Sequence, residues 1–395
     1  MFSKKNIRAE IKDQIVKQLY FFSGLSYNDL SLRLKETPSL ITTILSELVR
    51  EGLVVPQGFA PSSGGRKSPA YSLKADAFYI LTVAMDQVSM RFCLTDLAGQ
   101  AFTAIGKHDL RSHTPEVLRG LTECLDDHIR CSGLEKKKIL GIGIGIPAFI
   151  TKNKRNNYSF FNIGGEHLAA HLSKQLQIRT YIDNDSNLIA LAEQWTRSPH
   201  CRHNTLVVNL GWSIGLGIIA DGKLLRGNQG FAGQFGHIQL SADGLLCSCG
   251  KRGCLESEAS IFAMAQKAIK GIKGGRVSKL QSVNTADQEA MGKALLNAAL
   301  TGDQFAVELL SEAGYHIGKV LASVIHVLNP GTIILAGRGI KVAAILLAPI
   351  QQAITRYCIP ELATGTELLI SDLGIDAQLT GAAVLVMENY KSKRA

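Results

Sequence analysis

A multi-domain α/β fold is the prediction for this 395-residue chain, and three observations carry it. Residues 1–75 show helical apolar spacing followed by two short apolar segments around a glycine-rich tip. The remainder alternates short apolar runs with helical stretches, as α/β proteins do. One strand–turn–strand–hairpin unit occurs twice, at 79–105 and again at 205–227. The expected domains are 1–75, a first α/β lobe at 76–200 joined by the C-terminal segment 376–395, and a second lobe at 201–375.

Composition sets the class. With 46% hydrophobic and 19% charged residues, the chain reads as a soluble globular protein. The start, MFSKKNIRAEIKDQI, alternates charge with apolar residues and is no signal peptide. The apolar runs at 139–150 and 205–220 are short and broken by glycine, which suits buried strands and not membrane spans. Cys93, Cys124, Cys131, Cys201 and Cys358 are scattered without a disulfide framework, pointing to a reducing cytoplasm. Of the net charge of +10, residues 1–75 carry half, with eleven Lys/Arg against six Asp/Glu. Such a terminal module invites nucleic acid or an anionic surface. A solvated basic face would look the same, so the elements have to decide.

In the N-terminal module, Ile11, Ile15, Leu19 and Phe22 make one apolar stripe on a first helix. Ser26 is placed to cap a second helix through Leu34, with Asp29 as the capping-box acid. Lys35-Glu36-Thr37-Pro38 supplies a turn, and Pro38 opens a third helix that runs to about Glu51 before Gly52. Ile41, Ile44, Leu45 and Leu48 share one face of it; Ser39, Thr42, Thr43, Ser46 and Arg50 share the opposite face. That second face is short, polar and nearly free of acids, as entry into a major groove requires. An ordinary surface helix would be richer in Lys and Glu. Leu53-Val54-Val55 and Tyr71-Ser72-Leu73 then flank PQGFAPSSGGRKSPA, a hairpin wing with Arg66 and Lys67 at its tip reaching phosphates or the minor groove. A plain linker would be equally glycine-rich; the paired cations favour the wing.

The first lobe reads as a meander of YILTVAMD, MRFCLTD and QAFTAI with a turn near Leu97-Ala98-Gly99. The second repeats it as TLVVNL, GLGIIA and KLLRG, followed by helices over 286–327 and the strand TIILAG. Within it lies His237, Cys247, Cys249 and Cys254, reading H-x9-C-x-C-x4-C. One imidazole and three thiolates within eighteen residues suit a tetrahedral Zn²⁺. Gly244, Gly250 and Gly253 allow the tight backbone this needs. No position is left for a catalytic water, so the expected ion is structural.

Taken together, these motifs resemble the ROK family, which joins sugar-responsive repressors with sugar kinases. The marks are Gly253-Cys254-Leu255-Glu256 closing the metal motif, Asp183-Asn184-Asp185-Ser186-Asn187, and GIGIGIP at 141–147. The resemblance spans essentially the whole chain and implies a winged helix-turn-helix ahead of a two-lobed, actin-like (ribonuclease H-like) ATPase-type body. The basic module with its GGRK tip looks like that of the repressor branch. By motif, Asp185 matches the kinase base and Asn184 a sugar-binding amide, while His237 and Glu256 match residues that hold sugar hydroxyls. Gln234 stands where the family has Glu, and Ala148 where it usually has Gly. As a carboxylate, Asp185 could act as a base, simply bind the sugar, or cap a helix.

The nucleotide half departs from the kinase pattern. Asp86-Gln87-Val88-Ser89-Met90 stands for Asp-x-Gly-Gly-Thr, and Leu210-Gly211-Trp212-Ser213 for Leu-Gly-Thr-Gly. Gly215 and Gly217 remain, but strand glycines are common. The expectation is therefore no ATP and no catalysis: a kinase-derived repressor binding double-stranded operator DNA as a homodimer or tetramer. Its effector would be a sugar or sugar phosphate between the lobes, without membrane insertion. Two alternatives stay open, a sugar kinase with an added domain and a regulator that senses a sugar-transport protein.

Overall fold

The computed structural model describes residues 4–59, 68–110, 115–150, 157–158, 167–197 and 203–392. In chain order the first elements are α1 (Lys4–Phe21), β1 (Leu25–Ser26), α2 (Tyr27–Leu34), α3 (Pro38–Arg50), β2 (Val54–Phe59) and β3 (Pro69–Leu73). Next come β4 (Tyr79–Met85), β5 (Ser89–Asp96), β6 (Gly106–Asp109), α4 (Pro115–Cys131), β7 (Ile139–Ile146), β8 (Phe149–Ile150), β9 (Asn157–Tyr158), α5 (Leu168–Leu176) and β10 (Thr180–Asn184). The later part holds α6 (Asp185–Thr196), β11 (Thr205–Leu210), β12 (Ile214–Ala220), β13 (Lys223–Leu224), α7 (Leu255–Ala259), α8 (Ile261–Lys273), α9 (Gln288–Leu300) and α10 (Gln304–Leu328). It closes with β14 (Thr332–Ala336), α11 (Ala343–Tyr357), α12 (Pro360–Thr364), β15 (Glu367–Ile370) and α13 (Ala377–Glu388). Among the described residues no helix is long and apolar enough to cross a membrane.

Compactness divides the chain into two units. One holds residues 1–146, 159–183 and 382–395, the other 147–158 and 184–381. α6 falls in the second of these units, where it packs on β12 through the close approach described below.

In the first unit the N-terminal module follows its local signals. α1 buries Ile11, Ile15 and Leu19; Phe22 lies just past its end beneath the Arg33 guanidinium, 4.0 Å from the ring centre. Ser26 caps α2: its Oγ accepts from the Asp29 N–H at 3.2 Å, while Asp29 accepts from the Ser26 N–H at 2.8 Å. Pro38 opens α3, and Ile41, Ile44, Leu45 and Leu48 are its buried face. β2 and β3 form an antiparallel hairpin with Val54 opposite Leu73, and β1 extends it to three strands. Arg8–Glu47 and Lys12–Glu51 ion pairs tie α1 to α3.

The main sheet of this unit runs β10-β7-β4-β5-β6. Its third strand is Gly106–Asp109, not the expected 100–105. The carboxylate of Asp96 accepts from the Ala98 and Gln100 N–H groups and folds that stretch into a turn, which swings Phe102 against Tyr79. The alternating glycines of β7 have a packing role: a side chain on Gly143 would overlap the Ala382 carbonyl of α13.

The second unit's sheet runs β13-β12-β11-β14-β15. In both sheets the first three strands form an antiparallel meander and the fourth pairs parallel to the first, so the duplication read from the sequence is present in the topology. α6 lies on β12 where Gly215 and Gly217 leave room; a Cβ on either would overlap Ser186 or Ala190. The Cβ-free Gly381 faces the Leu188 carbonyl in the same way.

Gly143→Ala forces β7 and α13 apart, since the obstructing atom is backbone and cannot rotate away. Urea unfolding should show a loss of about 2 kcal/mol or more; an unchanged midpoint would refute the close-packing account.

Candidate functional site

The four metal-type side chains converge. All four donor atoms lie within 4.8 Å of one another. His237 Nδ1 is 3.6 Å from Cys247 Sγ, and Cys249 Sγ is 3.7 Å from Cys254 Sγ. With Zn–S near 2.3 Å and Zn–N near 2.0 Å, a tetrahedron sets S···N at roughly 3.6 Å and S···S at roughly 3.8 Å. The donor set fits the ion. The backbone produces this spacing by a tight turn: the Gly250 N–H donates to the Cys247 carbonyl (2.9 Å) and the Cys247 N–H to the Lys251 carbonyl (2.8 Å). Gly253, at φ +68°, could not carry a side chain, because its Cβ would overlap the Ser241 carbonyl. Cys247 and Cys254 are buried, whereas Cys249 is exposed. With thiols alone, burial pushes Cys254 up to about 12, while the Lys251 N–H holds Cys249 below the usual range. Burial also lowers His237, keeping the imidazole neutral and able to ligate.

Cys254 stands at the start of α7, and Glu256 is on its first turn. Glu256 Oε2 accepts from the Ile214 N–H at 2.7 Å. Burial, helped by the nearby Asp185 charge and opposed by that hydrogen bond, raises this carboxyl to about 7. A Cβ on Gly236 would come within 2.9 Å of Glu256 Oε2, so the turn that carries Gln234 and His237 lies against this acid.

Asn184 caps α6: its Oδ1 accepts from the Ser186 N–H (3.0 Å) and the Asn187 N–H (3.3 Å), while Nδ2 donates to the Ala148 carbonyl (3.3 Å). Asp185 is buried, and its Oδ2 accepts from Asn209 Nδ2 at 3.1 Å. The second unit thereby brings Asn184, Asp185 and Glu256 together with the Gln234–His237 turn. Asn209 is the residue that motif reading missed. The available signal was an amide in the mostly apolar strand TLVVNL.

Elsewhere, the two segments that the resemblance set against kinase phosphate loops make contacts of their own. Asp86 Oδ1 accepts from the Val88 and Ser89 N–H groups (2.9 and 2.8 Å), and the Asp86 N–H donates to the Ser89 carbonyl, closing a self-contained turn. Trp212 is 2% exposed, stacks on Phe262 at 4.9 Å and lies under the Arg338 guanidinium at 5.1 Å. On α3, Ser39, Thr42, Thr43, Ser46 and Arg50 are all exposed. The hydroxyls of Thr42, Thr43 and Ser46 donate to carbonyls one turn back, at 2.8, 2.8 and 2.9 Å. Arg66 and Lys67 fall outside the described residues.

The model of the ROK family matches residues 82–389. A glucokinase of Halalkalibacterium halodurans is 33% identical over 279 residues, covering 70% of this chain and 84% of that one. A xylose repressor of Bacillus spizizenii is 26% identical over 378 residues, covering 95% and 94%. A solved ROK family transcriptional regulator, a homologue of the Escherichia coli MLC protein, superposes with a TM-score of 0.80 at 24% identity over 97% of this chain and 96% of that chain.

Asn209→Ala leaves the buried Asp185 carboxylate short of a donor and should cost about 2 kcal/mol by chemical denaturation. The same change in an Asp185→Asn background should cost clearly less, by about 1 kcal/mol. Additive effects would mean that the pair is not coupled.

Proposed function

The chain belongs to the ROK family, and from that premise we propose that it is a sugar-responsive transcriptional repressor. Coverage carries the reading. The match to a xylose repressor leaves only about a twentieth of the chain unmatched, less than the 75-residue N-terminal module, whereas the glucokinase match spans 70%. The module serves as a winged helix-turn-helix: α3 enters the major groove with Ser39, Thr42, Thr43, Ser46 and Arg50, and Arg66 and Lys67 reach the backbone. A dimer or a pair of dimers would match a palindromic operator.

The sugar contacts are Asn184, Asp185, Gln234, His237 and Glu256. Asp185 accepts from a hydroxyl, and Asn209 keeps its carboxylate aimed. Glu256, with its raised pKa, either accepts from or donates to another hydroxyl near neutrality. His237, Cys247, Cys249 and Cys254 hold a structural Zn²⁺, whose charge supports the buried thiolates. Those ligands pin the two ends of the loop that carries His237 and leads into Glu256. A sugar changes operator affinity only by binding the two DNA-affinity states unequally.

The retained Asp185 and the glucokinase relative favour a second reading, a sugar kinase. Against it, Trp212 packs where a phosphate loop needs bare backbone, and the Ile214 N–H is committed to Glu256.

Two measurements test the proposal. A sugar panel should raise the Tm of the metal-loaded protein, by about 2.7 kcal/mol of stabilisation at a hundredfold excess over Kd. Asp185→Asn should abolish the shift, and ATP should produce neither shift nor turnover; sugar phosphorylation would replace the repressor reading with the kinase one. Cys249→Ser, or exhaustive chelation, should take bound zinc from about one per chain to none and weaken operator and sugar binding. Unaltered binding after complete zinc loss would refute the structural role.

A further inference from the structure

A cavity of about 690 Å³ lies within the first unit, walled by the N-terminal module, the first lobe and the C-terminal segment. None of the residues discussed as sugar or metal contacts lines it. Six of its seventeen lining side chains are cationic and one, Glu51, is acidic, so the charge is far from balanced.

Three of the cations are neutralised by neighbouring acids. Lys12 Nζ meets both Glu51 oxygens at 2.6 and 2.7 Å, and two exposed lysines pair with Asp126 and Glu135. The other three are Lys138, Arg179 and Lys391. Lys138 Nζ donates to the Ala77 carbonyl at 3.2 Å and stands over the Phe78 ring; an Arg179 Nη1 hydrogen goes to the Lys391 carbonyl at 2.7 Å. Among the described residues no carboxylate is within ion-pair reach of these three. A carbonyl and a ring hold Lys138 and another carbonyl holds Arg179, so among the described residues these cations are positioned without an ion pair.

We propose that this cavity binds a small phosphate monoester. One guanidinium fork and two ammonium groups match a dianion with three oxygens. The volume falls in the range of small-molecule sites, and Phe78 and Tyr390 supply ring faces for the organic part. The arriving anion competes with Glu51 for Lys12. Glu51 is the C-terminal cap residue of α3, so the ligand loosens an ion pair that anchors that helix to α1. Binding itself does not depend on the repressor reading; only its effect on operator affinity does.

The test is calorimetric titration of the full, metal-loaded chain with glycerol 3-phosphate, which has no sugar ring, against glycerol. Lys138→Met/Arg179→Met should weaken glycerol 3-phosphate at least tenfold and leave binding of a neutral sugar intact. Asp185→Asn should do the reverse. Both substituted side chains are exposed, so unchanged zinc content and circular dichroism will certify the fold. The proposal is overturned if glycerol 3-phosphate does not bind, or if its affinity falls with Asp185→Asn and not with the double variant. It is equally overturned if the double variant loses operator affinity while phosphate binding persists, since the cations would then serve DNA. Phosphate binding in a protein that recognises neither sugar nor operator would sink the repressor reading and leave the cavity assignment standing.

Discussion

Three positions without side chains let α6 approach its neighbours at backbone distance, and the chemistry of the second unit depends on that approach. Gly215 and Gly217 of β12 receive Ser186 and Ala190, and Gly381 receives the Leu188 carbonyl. Only in that arrangement does Asp185 reach Asn209 on β11. A buried carboxylate without donors costs several kcal/mol, so the acid is tolerable there because the amide and the Ser186 N–H meet it. The glycines that invite a phosphate interpretation therefore serve helix packing.

The cysteine loop imposes the second constraint. Cys254 ends the loop and begins α7, so the metal-type cluster and Glu256 are two residues apart on one rigid start. Glu256 takes the Ile214 N–H, and the neighbouring Gly211 and Trp212 carbonyls accept from Ile261 and Phe262 of α8. Around Trp212 the fold has closed: the indole lies between Phe262 and Gly292, where any Cβ would come within 2.7 Å of the ring. A loop that opened to a phosphate would have to give up this apolar packing.

Much of this was legible locally. The Ser26–Asp29 cap, the Pro38 start of α3, its two faces and the Cys-x-Cys turn are governed by contacts within a few residues, so spacing alone reveals them. The stretch 100–105 misled because its apolar alternation resembles a strand, whereas the Asp96 side chain captures its amides. Asn209 was hidden for the opposite reason: the amide in TLVVNL is visible, but its partner lies twenty-four residues upstream, where no local pattern can show it.

By itself the sequence determined the element types, the duplicated strand pattern, the donor set of the metal cluster and the polar face of α3. Each follows from backbone periodicity or from ligand chemistry at short range. Tertiary structure alone decided that α6 belongs with the second unit, that Asp185 lies close enough to Glu256 to raise its pKa, and that Lys138, Arg179 and Lys391 line one cavity. Those facts depend on where distant segments pack, and packing is set by the shapes of surfaces that are assembled only when the chain has folded.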